Sequence, residues 1–144
     1  MSFSVDVNVL LYASDTSSTK HAEAIRLPKQ LASDPDLLCI TWSTLTVYLR
    51  IATHPGIFAH LLLPDDALGN IESLLSLPRV RLLAEGEGIL EIYREVTARF
   101  PARSNLVPDA HLAALLPQHG VRRLYTVDRD FRKFDFLKVA DPFE

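Results

Sequence analysis

The chain has 144 residues, 48% hydrophobic and 23% charged, which predicts one compact domain with a substantial core. Its net charge of −3 excludes an overall basic field for nucleic-acid binding, although a carboxylate-rich site would make a small nucleic-acid enzyme acidic. The single Cys39 excludes an internal disulfide and suits a reducing compartment.

No apolar run approaches the roughly 18 residues of a membrane-spanning helix. No basic segment precedes the first apolar run, as it would in a signal peptide. We therefore expect a cytoplasmic protein.

Hydrophobic periodicity predicts short strands that alternate with longer helices. The N-terminal half begins with a strand, a helical turn or two and an amphipathic helix. A buried strand and a helix that stops at His54-Pro55-Gly56 follow. In chain order these elements are residues 2–6, 8–15, 19–32, 36–40 and 41–53.

The C-terminal half continues the alternation. One helix opens with Pro64, Asp65 and Asp66, which suits a helix N-terminus and its dipole. A later helix has Pro108 near its first turn and Gly120 past its end. The elements are helix 64–77, strand 80–83, helix 87–100, connector 104–107, helix 108–120, strand 123–127 and a last strand at 137–140.

Short strands alternating with helices of about ten residues or more predict βαβ units, an α/β fold with a central parallel sheet. No shift in composition marks a boundary, so residues 1–144 are predicted to form a single domain. Sheets of this kind bind ligands outside the carboxyl ends of their strands.

Four aspartates occupy this predicted rim. Asp6 interrupts the apolar run FSVDVNVLLYA at the end of the first strand, where an unpaired buried carboxylate would be costly. Asp109 lies in the first turn of its helix, Asp128 follows the predicted strand 123–127, and Asp130 comes two residues later. Because strand ends and helix starts share one rim, we expect these carboxylates to meet.

Clustered carboxylates raise one another's pKa unless a cation lies between them. The cation that suits oxygen ligands is a hard divalent ion, Mg²⁺ or Mn²⁺. A site with one or two such ions suits phosphodiester hydrolysis, because the metal activates water and stabilises charge on the phosphate.

Each acid also has a purely structural explanation. Asp109 suits a helix dipole, and Asp128 and Asp130 suit a polar turn. Asp6 is the hardest to explain in this way, because it interrupts an apolar run. The five histidines form no HxxxH pair and none lies beside Cys39 in the sequence, so the sequence does not predict a zinc site.

Four stretches in order resemble the PIN-domain ribonucleases, of the VapC toxin family of bacterial toxin–antitoxin pairs. They are VDVNVLLYA, TVYLRIATHPGIF, NLVPDAHLAAL and YTVDRDFRKF, and the closing KVADPF is also similar. The resemblance implies a three-layer α/β/α sandwich and Mg²⁺-dependent endonucleolytic cleavage of RNA.

The resemblance also implies a set of site residues. The family's first, third and fourth acids fall on Asp6, Asp109 and Asp128, which would be catalytic and bind the metal, with Asp130 as an auxiliary ligand. Asn8 would orient Asp6 or bind a phosphate. Thr126 matches a hydroxyl that often precedes the fourth acid.

One position departs from the family pattern. Many relatives have a glutamate as the second acid, where this chain has Val47; its polar neighbours Thr44 and Thr46 are neutral. The number of metal ions, one or two, therefore stays open. The alternative function is a catalytically weak or inactive PIN-fold protein that binds RNA or a partner.

The resemblance further implies a small antitoxin partner and a homodimer. Arg50 and Arg129 are candidate contacts to RNA or antitoxin, and Arg132 and Lys133 add cations beside the fourth acid. Helices 41–53 and 64–77 have more apolar residues than one buried stripe needs, which predicts a groove for an amphipathic segment. These apolar residues are Trp42, Leu45, Val47, Tyr48, Leu49, Ile51, Leu68, Ile71, Leu74, Leu75 and Leu77.

Overall fold

A computed structural model of the chain describes residues 1–14, 36–57 and 61–144. The strands in these ranges are β1 Ser2–Val5, β2 Leu37–Thr41, β3 Val80–Leu83, β4 Arg123–Tyr125 and β5 Lys138–Ala140. The α-helices are α1 Val7–Ser14, α2 Trp42–Ala52, α3 Pro64–Leu75, α4 Ile89–Arg99 and α5 Val107–Gln118. Short 3₁₀ helices span Ser104–Leu106 and Arg129–Lys133. The helix predicted at residues 19–32 lies outside the described residues.

The five strands form one parallel sheet in the order β3-β2-β1-β4-β5. The chain therefore winds outward from β1 in both directions, and the strand order reverses between β1 and β4. This confirms the predicted α/β fold with a central parallel sheet. In such sheets the crevice at the switch point is the usual ligand site.

Two hydrophobic clusters cover the two faces of the sheet. Leu38 and Ile40 of β2 pack in the cluster with residues of α1, α2 and α3. Cys39, which lies between them, belongs to the cluster with residues of α4 and α5. This alternation is the period of a strand buried on both faces, and it produces the predicted three-layer sandwich.

Helix α5 brings Asp109 to the rim. Ala110, Ala113 and Ala114 on this helix are fully buried, and their small side chains let a helix backbone approach the layer beneath it closely. Asp109 lies in the first turn of α5, so this packing determines where its carboxylate stands.

Most element boundaries differ from the sequence prediction by one or two residues, and two of these differences have a clear physical cause. β4 ends at Tyr125 rather than at residue 127, because its ladder with β5 closes where the Thr126 N–H donates to the Ala140 carbonyl at 3.0 Å. α4 begins at Ile89, two residues later than predicted, because Gly88 adopts a left-handed conformation with φ of 81°. No helix in the described ranges has the length and hydrophobicity to cross a membrane.

Candidate active site

Asp6 is held at the end of β1 by a backbone hydrogen bond to β4 and by three hydrogen bonds to its carboxylate. Its backbone N–H donates to the Tyr125 carbonyl at 2.9 Å, so Asp6 lies beside the end of β4. One carboxylate oxygen, Oδ1, accepts from the Val7 N–H at 2.8 Å. The other, Oδ2, accepts from the Thr126 hydroxyl at 2.9 Å and from the Asn8 amide at 3.3 Å. Asp6 is thus oriented at the rim of the sheet.

Thr126 joins the two strand ends through its hydroxyl. The hydroxyl donates to Asp6 and accepts from the Asn8 amide at 3.1 Å and from the Asp128 N–H at 3.0 Å. Thr126 is only 2% exposed, so these bonds are made away from bulk water, where unpaired polar groups are costly. Asn8 and Thr126 both bond directly to the Asp6 carboxylate, and their supporting roles in a catalytic site stay a prediction.

Asp128 stands three residues beyond β4, and it begins the 3₁₀ helix Arg129–Lys133. Its Oδ1 accepts from the Asp130 N–H at 2.9 Å, which caps that helix. One oxygen therefore has a structural role, as the turn interpretation predicted. Asp130 is exposed at the edge of the site.

The charges of the four aspartates reach one another. Burial raises the pKa of Asp6; the Val7 N–H and Thr126 hydrogen bonds oppose this rise, and the charge of Asp128 adds to it. Burial, followed by the charges of Asp128 and Asp6, raises the pKa of Asp109 to about 6; Lys133 lowers it and Asp130 raises it further. Four acids from three parts of the chain thus influence one another electrostatically; their joint role in a metal site stays a prediction.

The donors at this rim suit a hard cation. They are carboxylate oxygens, joined by the Oδ1 atom of Asn8, which is buried and has no hydrogen-bond partner within the described part of the chain. Mg²⁺ and Mn²⁺ prefer such oxygen ligands. In the described ranges no three His, Cys, Asp or Glu side chains are grouped closely enough to hold one ion as they stand.

The position of the second acid has no carboxylate. Val47 is half-buried on α2. The neighbouring hydroxyls bond locally: Thr44 pairs at 2.8 Å with the hydroxyl of Thr41, the N-cap of α2, and Thr46 donates to the Ser43 carbonyl at 2.9 Å. Neither hydroxyl replaces the missing charge.

The other polar candidates lie in different places. Arg50 is in the last turn of α2, about 12 Å along the helix from its start, which suits a partner contact better than a contact at the rim. Arg129 is exposed and pairs with Glu144 at 3.8 Å. His111 faces away from Asp109, as expected from their spacing, and pairs with Glu85 at 2.8 Å.

Sequence reasoning named Lys133 only as one of several basic residues near Asp128, although its charge belongs to the site. Its charge reaches Asp109 although 24 residues separate them in the chain. The signal available was its spacing of five residues from Asp128, which is meaningful only once the intervening segment is known to form a 3₁₀ helix.

The raised pKa of Asp109 predicts a pH-dependent effect on stability. The native state binds this proton more tightly than the unfolded chain, whose pKa is about 3.8. The corresponding stability is therefore fully present below pH 3.8 and is lost as the pH rises through about 6. The rise in pKa corresponds to about 3 kcal/mol, which solvent screening and the helix dipole reduce to about 1 kcal/mol.

Asp109→Asn should therefore raise the free energy of unfolding by about 1 kcal/mol at neutral pH, measured by urea unfolding in EDTA. The gain should vanish below about pH 4, where wild-type Asp109 is protonated in both states. The matched control is Asp66→Asn, an exposed acid in the first turn of α3, which should give no gain. A loss of stability with Asp109→Asn at neutral pH would contradict the electrostatic description.

Comparison with known proteins places these residues in a family. The PIN domain family model matches residues 4–137. Ribonuclease VapC48 of Mycobacterium tuberculosis is 41% identical over 143 residues, which are 99% of this chain and 99% of that protein. Ribonuclease VapC43 of the same organism is 32% identical over 140 residues, covering 97% of this chain and 95% of that protein.

Solved structures have the same fold. The M. tuberculosis toxin VapC20, described as cleaving the sarcin-ricin loop, has a TM-score of 0.68 at 21% identity, covering 95% of this chain and 98% of that chain. VapBC2 of Rickettsia felis, solved with a promoter DNA fragment, has a TM-score of 0.69 at 14% identity and covers 98% of both chains. The full-length matches, together with a fold and rim of this kind, identify the chain as a member of the PIN-domain family and, within it, of the VapC ribonucleases.

Proposed function

We propose that the chain is a Mg²⁺-dependent endoribonuclease that acts in the cytoplasm as the toxin of a type II toxin–antitoxin pair. The main support is the convergence of the Asp6, Asp109 and Asp128 charges at the switch point of the sheet. Relatives of the same length are named ribonucleases.

The residues at the rim have distinct parts in this mechanism. Asp6, Asp109 and Asp128 would hold Mg²⁺, with Mn²⁺ as a substitute and Asp130 as an auxiliary ligand. When bound, the ion would activate water for attack on an RNA phosphodiester and stabilise the charge that develops on the phosphate. Thr126 keeps Asp6 oriented, and the Oδ1 atom of Asn8, which is buried and has no hydrogen-bond partner within the described residues, could add a neutral oxygen ligand. Asp109, with a pKa of about 6, is mostly ionised at neutral pH.

RNA cleavage is the direct test of this proposal. Purified protein is incubated with a panel of labelled stem–loop RNAs, with Mg²⁺ or with EDTA. Specific cleavage that requires Mg²⁺ supports the endoribonuclease. RNA binding without cleavage by any RNA of the panel would favour the alternative, an inactive PIN-fold binding protein whose activity was lost with the second acid at Val47.

An apolar groove beside α2 suits the antitoxin. It has a volume of about 530 Å³ and lies among α1, α2 and α3. Its floor includes Tyr48, whose hydroxyl bonds with that of Ser14 at 2.6 Å and accepts from Asn70 at 3.0 Å. The lining within the described part of the chain is Leu10, Ala13, Ser14, Leu45, Tyr48, Asn70, Ile71, Ser73, Leu74 and Leu77. An amphipathic segment fits an apolar groove of this kind.

Fewer apolar residues of α2 and α3 are available to line the groove than their sequence pattern predicted. Leu45, Tyr48 and Ile71 are buried in the core beneath it, so part of the apparent surplus serves folding. Trp42 and Leu68 are exposed but do not line the groove. We propose that the antitoxin binds here and that the toxin subunits pair as a homodimer, as in the family.

Substitutions on α3 test the groove. Ser73 is exposed and lines it, so Ser73→Arg should place a bulky charge in the path of an apolar segment. We expect antitoxin affinity to fall about tenfold or more, measured by copurification and titration with the proposed antitoxin, which we expect a neighbouring reading frame to encode. The control is Leu68→Arg on the same helix, outside the groove lining, which should change affinity less than about twofold.

The growth of cells that express the chain tests the same toxin–antitoxin pairing. Expression of the chain alone should arrest growth, and coexpression with the proposed antitoxin should relieve the arrest. If Leu68→Arg and Ser73→Arg weaken antitoxin binding equally, the groove is not the binding surface.

A further inference from the structure

RNA that approaches this site meets a cluster of negative charge. A phosphate group placed beside Asp6, Asp109 and Asp128 is repelled by each of them, even when one divalent ion compensates part of the charge. A fixed cation at the edge of the cluster would offset this repulsion. Lys133 is a described cation at this edge, because it is the last residue of the 3₁₀ helix whose N-terminus Asp128 caps.

The position of Lys133 is determined by the fold. It ends the 3₁₀ helix that Asp128 caps, so the fourth acid and this lysine are joined by one rigid turn. The turn is anchored by Phe131 and Phe134, which are 2% and 1% exposed. The ammonium of Lys133 lies 5.1 Å from the ring centroid of Phe134, a favourable cation–π distance.

The ammonium is not used in an ion pair. In residues 1–14, 36–57 and 61–144, Lys133 has no carboxylate within 4.0 Å, whereas Arg99 and Arg129 pair with Asp135 and Glu144. Its three donors are therefore available to a ligand. A lysine ammonium is a compact donor group that binds phosphate oxygens well.

We propose that Lys133 binds a phosphate of the RNA substrate at the edge of the carboxylate cluster and holds the strand against the site. This inference rests on the proposed ribonuclease function, which supplies the ligand, an RNA backbone. The contact is to a phosphate, so it strengthens binding to RNA irrespective of base sequence. Arg132, the preceding residue, is exposed on the same turn, and the proposal assigns it no contact with the phosphate.

The test measures RNA binding separately from cleavage. Binding of a fluorescein-labelled stem–loop RNA is followed by anisotropy with Mg²⁺ present, in an Asp6→Asn background that leaves the RNA intact. Lys133→Met keeps the apolar stem against Phe134 and should weaken binding about tenfold. It should also reduce the slope of log affinity against log salt by about 0.7 to 0.9. Lys133→Arg should restore most of the affinity.

Arg132→Met is the matched control, because it removes the same charge from the adjacent residue. It should change affinity less than about twofold. If Lys133→Met and Arg132→Met have equal effects, only a general electrostatic field is present and the proposal is wrong. Cleavage by the otherwise wild-type protein is measured in parallel. If the wild type cleaves no RNA, the proposed function fails, while the role of Lys133 is still decided by the binding difference.

Discussion

Asp6→Asn is expected to lower kcat/KM for RNA cleavage by about 1000-fold or more. The substitution keeps the size of the side chain but removes the charge that would hold the metal. It also puts an amide donor where Oδ2 now accepts from Thr126 and Asn8. Cleavage is measured with a labelled stem–loop RNA at saturating Mg²⁺.

The loss of activity should not be a loss of folding. Burial raises the pKa of Asp6, so the charged form is disfavoured in the native state. Removing the disfavoured charge should offset the cost of the hydrogen bond that an amide nitrogen cannot accept, so the urea midpoint should stay close to that of the wild type at neutral pH. Glu72→Gln, an equivalent change at an exposed position of α3, should leave both activity and stability unaltered. Full activity in Asp6→Asn would exclude the carboxylate rim as the catalytic centre.

Thr126→Val is expected to be the second most damaging change. Valine preserves the shape of the side chain but removes the hydroxyl that bonds Asp6, Asn8 and Asp128. Leaving buried polar groups without partners costs about 1–3 kcal/mol of stability. Misorienting groups that surround a metal costs about 10- to 100-fold in activity. Urea unfolding and cleavage kinetics measure the two effects.

Thr126→Ser distinguishes the contribution of the hydroxyl from that of the methyl group, because serine keeps only the hydroxyl. Serine can make the same three hydrogen bonds, so activity should recover to within a few-fold of wild type. If serine and valine variants are equally impaired, packing of the methyl group rather than the hydrogen bonds is the important property of Thr126.

The layer architecture and the rim of acids follow from local sequence. Short apolar segments such as LLCIT alternate with longer amphipathic helices, and this alternation predicts a parallel arrangement. Parallel strands put their carboxyl ends at one edge. Asp6 was therefore predictable as a rim residue from its place at the end of the first apolar run.

The details of the site depend on contacts between distant parts of the chain. The bond between Thr126 and Asp6 joins residues that are 120 positions apart, and local sequence carries no signal for it. The end of β4 was misplaced for a similar reason, because its last ladder bond depends on Ala140. The reach of Lys133 to Asp109 likewise appears only when the 3₁₀ helix and α5 are positioned together.

Because the pKa of Asp109 is raised, binding of a metal ion at this site should release protons, and this release can be measured. Carboxylates must be ionised to bind Mg²⁺, so an ion that binds near pH 6, where Asp109 is about half protonated, should release roughly half a proton. The release should fall at higher pH, and Mg²⁺ affinity should rise with pH through the same range.

Calorimetric titration of Mg²⁺ at about pH 6, in two buffers of different ionisation enthalpy, measures this directly. For the wild type we expect saturable binding whose apparent enthalpy differs between the buffers by the heat of the released protons. For Asp6→Asn we expect binding to be weakened at least tenfold. Saturable binding of equal affinity in wild type and Asp6→Asn, with no difference between buffers, would contradict a metal centre formed by these carboxylates.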